Sequence, residues 1–256
     1  MDRLATETLI CIFRYVSIID RARLRSICRR WRNICDCDQL WNSLELDVTD
    51  FGSISQFKLF LKNKCCIKVR RLRINDSFVK RKRLKRFDAF TISSMKLVCS
   101  NFKSLKELQL INVNLASSGI SFTNLPTSVQ FLALRNSNLP TKFFENISKS
   151  KLSSNLEVLD LTHSGVKKDD LANICVNCCN LVKLIVVDCF RISAQCLLTL
   201  NEALAKRSRR HRLTMILRED AKFLIPTNDT AMLKTYKWKK NNYADGLVNK
   251  WLCTNL

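Results

Sequence analysis

The 256-residue sequence predicts an α/β fold, in which three short helices pack on a curved solenoid with parallel strands on its concave side and helices on its convex side. Two observations predict it. Apolar residues with a helical period fill the first 46 residues, and leucines then recur in five strand-like segments. The low content of Gly (4) and Pro (3) shows no flexible linker between them. We divide the chain into a helical module (1–46), a helical bridge (47–68), about five strand turns (69–204) and an irregular basic C-terminal repeat or cap (205–256). Leu213, Ile216 and Leu217 in the last segment are candidates for a final strand.

Three apolar faces with helical spacing predict the N-terminal helices. The first face repeats at i, i+3, i+4 and i+7, the second repeats a similar spacing after Asp20, and the third is short. In chain order the faces are Leu9, Ile12, Phe13 and Val16; Leu24, Ile27, Cys28, Trp31 and Cys35; and Leu40, Trp41 and Leu44.

The first helix has more apolar surface than a small module can cover. Residues 9–13 are apolar all round, and such a helix needs cover on every side. A domain of ~60 residues buries only roughly 60% of its chain surface, so a module of about 45 residues leaves some exposed. The exposed surface, with Leu4 and Ile10 in it, predicts a partner protein. The alternative is that the following domain covers it.

The same residues resemble the F-box motif. The match comprises Leu4, Glu7, Leu9, Ile12, Phe13, Val16, Asp20, Ile27, Cys28, Trp31, Leu40 and Trp41. Ala5 stands where the family usually has a proline that presets the chain direction into the helix. The resemblance implies docking on the Skp1-type adaptor of a cullin-RING ubiquitin ligase. The residues expected to dock are Leu4, Ala5, Leu9, Ile10, Phe13, Leu24, Ile27 and Trp31.

Five later segments resemble leucine-rich repeats, each with the spacing Leu-x-x-Leu-x-Leu. They start at Val69, Leu105, Val129, Leu156 and Leu181. The starts from 105 to 181 lie 24 to 27 residues apart, whereas 36 residues separate 69 from 105, which predicts an insertion there. The ninth position of each segment holds Ser77, Val113, Ser137, Ser164 and Cys189. Only the last has the family's cysteine, so we expect a weak turn ladder in the first four.

The residues between the repeated leucines are expected on the concave face, because side chains alternate along a strand. Charged, amide and apolar groups mix there, which suits a protein ligand with aromatic and arginine anchors. An ordinary solvated sheet surface is the alternative. The candidate substrate-binding residues are Arg71, Arg73, Glu107, Gln109, Phe131, Arg135, Asp160 and Lys183.

The chain is strongly basic, since 44 Lys and Arg against 22 Asp and Glu give a net charge of +22. Three runs stand out: Lys80–Arg86, Lys206–Arg212 and Lys237–Lys240. Such runs act as nuclear-import signals or anion-binding patches, or form a solvated face. The first run lies in the predicted insertion and is the best import candidate. No zinc finger or RNA-binding aromatic signature accompanies them, so we expect only weak electrostatic binding of nucleic acid.

Thirteen cysteines without a secretory signal are expected to be reduced thiols that pack as small hydrophobes. Cys175 and Cys178 form a Cys-x-x-Cys pair, but no second pair follows and the chain has only two histidines. We therefore expect no metal, no cofactor and no enzymatic activity. The sequence lacks an apolar run of about 18 residues, so we expect no membrane partner and a cytoplasmic or nuclear location.

The whole chain resembles the F-box/leucine-rich-repeat family. That resemblance implies a substrate receptor of an SCF-type ubiquitin ligase, which binds the Skp1-type adaptor, and through it a cullin-RING scaffold, while the repeats hold a protein substrate. The alternative is a basic repeat scaffold that binds nucleic acid or acidic proteins without a ligase role. A cysteine-dependent transferase is a third hypothesis, disfavoured because most cysteines fall at core positions.

Overall fold

Parallel strands in strict chain order organise the molecule. The computed structural model describes residues 4–63, 67–76, 89–192, 213–218 and 231–236. Within these ranges eight strands form one sheet in the order β1 to β8, and every neighbouring pair is parallel. Each strand lies beside its predecessor in the sheet, which is the arrangement of a solenoid. The predicted fold class is confirmed.

Four short helices, where three were predicted, form the N-terminal module: α1 (Thr6–Arg14), α2 (Ile18–Leu24), α3 (Arg29–Cys35) and α4 (Asp38–Trp41). The second predicted helix is split, because Cys28 is extended at φ −155° and ends the periodic stretch. Its thiol accepts a hydrogen bond from the Trp31 backbone N–H at 3.4 Å and so begins α3. Ser17 caps α2 in the same way through the backbone N–H of Asp20.

The sheet begins inside the segment assigned to the helical module. Strand β1 spans Ser43–Asp47, so Leu44 lies in a strand and its assignment to a third helix was wrong. Leu44 and Leu46 are buried while Ser43 and Glu45 are exposed. This alternation has period two, which a strand requires and a helix does not. The helical module therefore contributes the first strand to the solenoid sheet.

The predicted helical bridge contains a 3-10 turn at Val48–Asp50 and helix α5 (Ile54–Leu61). Ser53 caps α5 by accepting a hydrogen bond from the Gln56 backbone N–H. Phe57 and Leu61, one helical turn apart, are both buried, as their spacing predicted.

The five predicted repeat strands are present. They are β2 (Arg71–Asn75), β3 (Glu107–Ile111), β4 (Phe131–Arg135), β5 (Val158–Asp160) and β6 (Lys183–Ile185). Their central leucines lie in one register, with Leu72 beside Leu108, then Leu132, Leu159 and Leu184, and all five are buried. Between the strands lie α6 (Ile92–Asn101), α7 (Leu152–Asn155), α8 (Lys168–Asn177) and 3-10 turns at Phe122–Asn124 and Ile147–Lys149.

Two further strands lie in the segment that was expected to be irregular. They are β7 (Leu213–Arg218) and β8 (Ala231–Tyr236), which continue the register of β6. The candidate last strand at Leu213, Ile216 and Leu217 is therefore present as β7, whereas β8 was not expected. Other sequence features fall outside the described residues: Ser77, Val79, Cys196, Trp238, Trp251, and the three basic runs Lys80–Arg86, Lys206–Arg212 and Lys237–Lys240.

The turn ladder at the ninth repeat position is better formed than expected. Ser137 is buried, and its hydroxyl donates to the Leu110 carbonyl of the preceding turn at 3.3 Å. The Cys189 thiol donates to the Leu161 carbonyl at 3.0 Å. Ser164, fully buried, lies 3.9 Å from that thiol. Serine thus supplies the short donor that the cysteine supplies later, and the weak-ladder prediction was wrong at these turns.

One continuous apolar core joins the helical module to the repeats. Leu9, Phe13 and Trp41 belong to the same buried cluster as the strand leucines. No helix within the described ranges is both long and apolar enough to cross a membrane.

Candidate functional site

The helical module leaves large apolar side chains in solvent. Leu4, Ile12 and Ile27 are 38%, 43% and 60% exposed, and the Tyr15 ring is almost fully exposed. The F-box motif itself includes the first three of these residues. A module of this size with so many exposed branched side chains has the character of a docking surface.

The eight residues expected to dock fall into three groups. Leu4, Ala5 and Ile27 are exposed, whereas Leu24 and Trp31 are partly buried. Leu9, Ile10 and Phe13 are buried in the core. The expectation that Ile10 lies on the uncovered surface was wrong, because this chain's own residues shield its side chain. Ile12 of α1 and Tyr15, which directly follows α1, are exposed, although the sequence analysis did not assign them to docking.

Buried contacts fix the positions of the exposed residues. The Phe13 ring meets Trp31 edge-on, with ring centroids 5.1 Å apart, which joins α1 to α3. The Arg30 guanidinium donates to the Leu4 carbonyl. Leu4 is therefore held beside Arg30 at the start of α3, and Arg30 follows Ile27 by three residues.

Arg21 is a structural residue that the sequence analysis missed. It is buried, and its guanidinium donates to four carbonyls: Phe13 at 3.1 Å, Leu40 at 2.5 Å, and Arg14 and Val16 at 3.2 Å each. It also lies over the Trp41 ring, 5.5 Å from the centroid. The carbonyls at the end of a helix lack partners within the helix. Arg21 supplies hydrogen-bond donors to these carbonyls at the end of α1, and through the Leu40 carbonyl it also links α1 to α4.

The concave face has the predicted columns. Arg71, Glu107, Phe131, Val158 and Lys183 lie side by side in successive strands. A second column contains Arg73, Gln109, Ala133, Asp160 and Ile185. The new strands extend these columns to Ser43 and Glu45 at one end and to Thr214 and Ile216 at the other.

Carboxylates neutralise both arginines in the middle of this face. Arg73 Nε lies 3.3 Å from Glu45 Oε1, and Arg135 Nε lies 2.6 Å from Asp160 Oδ2. Asp160 is almost completely buried, and its other oxygen accepts from the backbone N–H and hydroxyl of Thr162. A carboxylate buried so deeply needs these partners to remain charged. The pair therefore fixes the face in one arrangement.

Gln109 and Ala133 are buried although they lie on the concave side. The Gln109 amide donates to the Glu107 carboxylate, which fixes its orientation. Ala133 lies between Phe131 and Arg135 on β4, and both of these larger side chains are half-buried. Of the eight predicted substrate-binding residues, six lie at least partly exposed on the concave face: Arg71, Arg73, Glu107, Phe131, Arg135 and Lys183. Gln109 and Asp160 are buried by their neighbours, so they are not available as direct contacts.

The buried thiols have the properties of core residues. Burial raises the pKa of Cys189 to about 11, and burial also raises the pKa of Cys35 and Cys99. A reactive thiol needs the opposite shift. Within the described part of the chain, no three His, Cys, Asp or Glu side chains are grouped as a metal site requires.

Comparison with known proteins identifies the N-terminal segment. The F-box-like family model matches residues 1–47. F-box/LRR-repeat protein 21 of Ovis aries is 38% identical over 42 residues, which are 16% of this chain and 10% of the relative. The Mus musculus protein of that name is 36% identical over 52 residues, 20% of this chain and 12% of the relative. The matches thus span only a small part of these relatives.

A solved structure also resembles the chain, namely the leucine-rich repeat-containing protein LegL7 of Legionella pneumophila. It is 19% identical, covers 77% of this chain and 72% of its own, and has a TM-score of 0.38. The solenoid assignment rests instead on the parallel strand register. The first 47 residues are therefore similar to F-box-like domains, and they lead into a parallel-strand solenoid whose leucine spacing resembles leucine-rich repeats.

Proposed function

We propose that this protein is a substrate receptor of an SCF-type ubiquitin ligase, which docks on a Skp1-type adaptor through the F-box-like domain. The observation that supports this most strongly is the exposed Leu4, Ile12 and Ile27 on a module whose interior is otherwise closed. The homology to F-box/LRR-repeat proteins supports the same role at the family level.

The proposed mechanism is positional. The F-box-like domain holds the chain on the ligase, and the solenoid holds a protein substrate on its concave face. Substrate lysines then lie at high effective concentration beside the ubiquitin-charged enzyme. No side chain of this protein needs to take part in the chemistry, which agrees with the raised pKa of the buried Cys189 thiol.

The shared core supports this role physically. Strand β1 belongs to the F-box segment and pairs with β2 of the solenoid, and the Arg71 backbone N–H donates to the Asn42 carbonyl at 3.0 Å. A joint of this kind holds the two surfaces at a fixed separation, which a flexible linker would not do. A fixed separation favours a defined set of substrate lysines.

Co-expression with a Skp1-type adaptor tests the proposal. We expect wild-type protein to co-purify with the adaptor, and Leu4→Asp together with Ile27→Asp to weaken binding at least about 30-fold, the loss typical of a central interface anchor. Both side chains are exposed, so the fold should survive, which circular dichroism checks.

Leu59→Asp is the matched control, because Leu59 is a 71% exposed leucine on α5, away from the F-box helices. It should bind the adaptor like wild type. Failure of the wild-type protein to bind the adaptor, or equal loss in the control, would contradict the proposal.

A further inference from the structure

Five exposed cations lie together where the first two repeat strands begin. They are Lys62, Arg70, Arg71, Lys103 and Lys106, which we name the basic edge. The Lys106 backbone N–H donates to the Arg70 carbonyl at 2.8 Å, so these two residues are neighbours across β2 and β3. The Asn101 amide donates to the Leu61 carbonyl at 3.0 Å, which brings the ends of α5 and α6, and with them Lys62 and Lys103, side by side.

The basic edge is not neutralised by the described residues. None of its five side chains has an ion pair with a residue in the described ranges. Nearby Lys68 does have one, because its Nζ lies 2.6 Å from Asp38 Oδ1. The carboxylate of Glu107, which is the cross-strand neighbour of Arg71, accepts from the Gln109 amide. The other two arginines of the concave face differ from Arg71, because Arg73 and Arg135 each have a carboxylate partner. Unneutralised charge is therefore concentrated at this edge.

An apolar strip adjoins the basic edge in the same column. Beyond Arg71 and Glu107 the column continues with Phe131 and Val158, both half-buried. Strands lie about 4.8 Å apart, so Phe131 is about 10 Å from Arg71. An extended peptide rises about 3.3 Å per residue and covers that distance in about three residues.

We propose that the solenoid recognises an acidic segment of a protein, with Asp or Glu side chains on the basic edge and an apolar side chain about three residues away on Phe131 and Val158. This inference rests on the proposed substrate-receptor function and names the substrate class. A protein segment fits better than nucleic acid, because the next rim residues are Gln130 and Glu157, joined at 2.8 Å. A long polyanion would meet that carboxylate, whereas a short acidic segment ends before it.

Fluorescence anisotropy of a labelled peptide with the full chain tests this, and adaptor binding is measured separately. The probe is a labelled 12-residue peptide with three Glu and a Leu three residues beyond them, at 0.15 M salt. We expect Arg70→Glu, Arg71→Glu and Lys106→Glu together to weaken binding about tenfold or more. A peptide with Gln in place of each Glu should bind wild type as weakly as the Glu peptide binds the triple variant. Phe131→Ser should weaken binding of the Leu-containing peptide but not of a matched peptide with Ser in place of Leu.

The matched control changes the same net charge elsewhere. Lys142, Lys149 and Lys151 are exposed lysines beyond β4, and their reversal to Glu should leave peptide binding within about twofold of wild type, because screening limits charge effects at this range. Equal weakening in both triple variants, or no binding of the acidic peptide to wild type, would overturn the proposal. A 12-nucleotide RNA that binds more tightly, and is released by the basic-edge triple variant, would also overturn it.

Measuring adaptor binding beside peptide binding separates the receptor proposal from the acidic-segment proposal. We expect the basic-edge triple variant to retain adaptor binding while it loses the peptide. If wild type binds the peptide but no adaptor, the receptor role fails and the acidic-segment site stands. If it binds the adaptor but not the peptide, only the site assignment fails.

Discussion

Arg21 is buried inside the F-box-like domain, where its guanidinium donates to the Phe13 carbonyl of α1 and to the Leu40 carbonyl of α4. From the sequence, an arginine among so many others reads as a surface residue. Its burial follows from the geometry of the short helices, since the open carbonyls at the end of α1 need a donor that reaches several of them at once. The planar guanidinium with five N–H groups suits this role, and the lysine ammonium does not.

Arg21→Met should therefore destabilise the domain strongly. The methionine fills part of the space but leaves buried carbonyls without donors, at about 1–3 kcal/mol each where water cannot replace the donor. We expect the free energy of unfolding, measured in urea, to fall by about 3 kcal/mol or more. Arg21→Lys should recover only part of the loss.

Arg23→Met provides the comparison, because Arg23 is an exposed arginine on the same helix whose ion pair within the described residues is with Asp20. It should change stability by less than about 1 kcal/mol. Equal effects at the two positions would show that the carbonyl contacts of Arg21 contribute little.

At the scale of the element, a left-handed residue follows the strand in four successive repeat turns, after β3, β4, β5 and β6. Asn112, Asn136, His163 and Asp188 have φ values of 57°, 47°, 55° and 53°. The Asn136 amide donates to Asn112 Oδ1 at 2.6 Å, and the Asn112 amide donates to Asn75 Oδ1 at 2.9 Å. Asn, Asp and His tolerate positive φ better than other residues with a side chain. The stacked amides thus form a second ladder beside the ninth-position ladder.

Substitutions of Asn136 should reveal the backbone strain. Asn136→Gly and Asn136→Ala both lose the amide hydrogen bond, but alanine also bears the cost of about 1–2 kcal/mol for the left-handed conformation. We expect the alanine variant to be the less stable of the two by about 1 kcal/mol in urea denaturation.

Asn180 supplies the matched control, because its amide donates to the Ser154 carbonyl at 2.6 Å and its φ is not among the positive values. There the glycine variant should be the less stable, since glycine loses more conformational freedom on folding. The same order of stability at both sites would contradict the strain argument.

At the scale of the whole molecule, the F-box-like domain and the solenoid share a sheet and a core. Trp41 and Leu44 belong to the same buried cluster as Leu72 and Leu108. Such continuity couples the stability of one part to the other, in contrast to domains joined by a linker. The two parts should thus unfold together.

Unfolding followed by two probes tests this coupling. In a variant with Trp238→Phe and Trp251→Phe, fluorescence reports Trp31 and Trp41, and circular dichroism reports all secondary structure. We expect the two urea transitions to coincide, and Leu44→Ala to shift both by the same amount, with a loss of about 2–5 kcal/mol. A fluorescence change that precedes the dichroism change would show that the F-box-like domain unfolds alone.

Much of this architecture was readable from the sequence, because period and spacing are local properties. The repeated leucines at 72, 108, 132, 159 and 184 predicted five strands in one register, and those strands are present. The four residues with positive φ also had a signal in the sequence. An Asn, His or Asp directly precedes the ninth repeat position at 112, 136, 163 and 188. The break at Cys28 had none, because the apolar period continues through it.

The sequence by itself determined the F-box-like motif, the solenoid and the columns of its concave face, because side-chain alternation and helical period are set by the backbone. Only the tertiary structure decided which apolar residues remain exposed, as Ile10 and Ile12 show on one helix. It also decided that Arg21 lies inside and that no carboxylate among the described residues forms an ion pair with the basic edge. Burial and charge pairing depend on residues distant in the chain, so only the packed chain settles them.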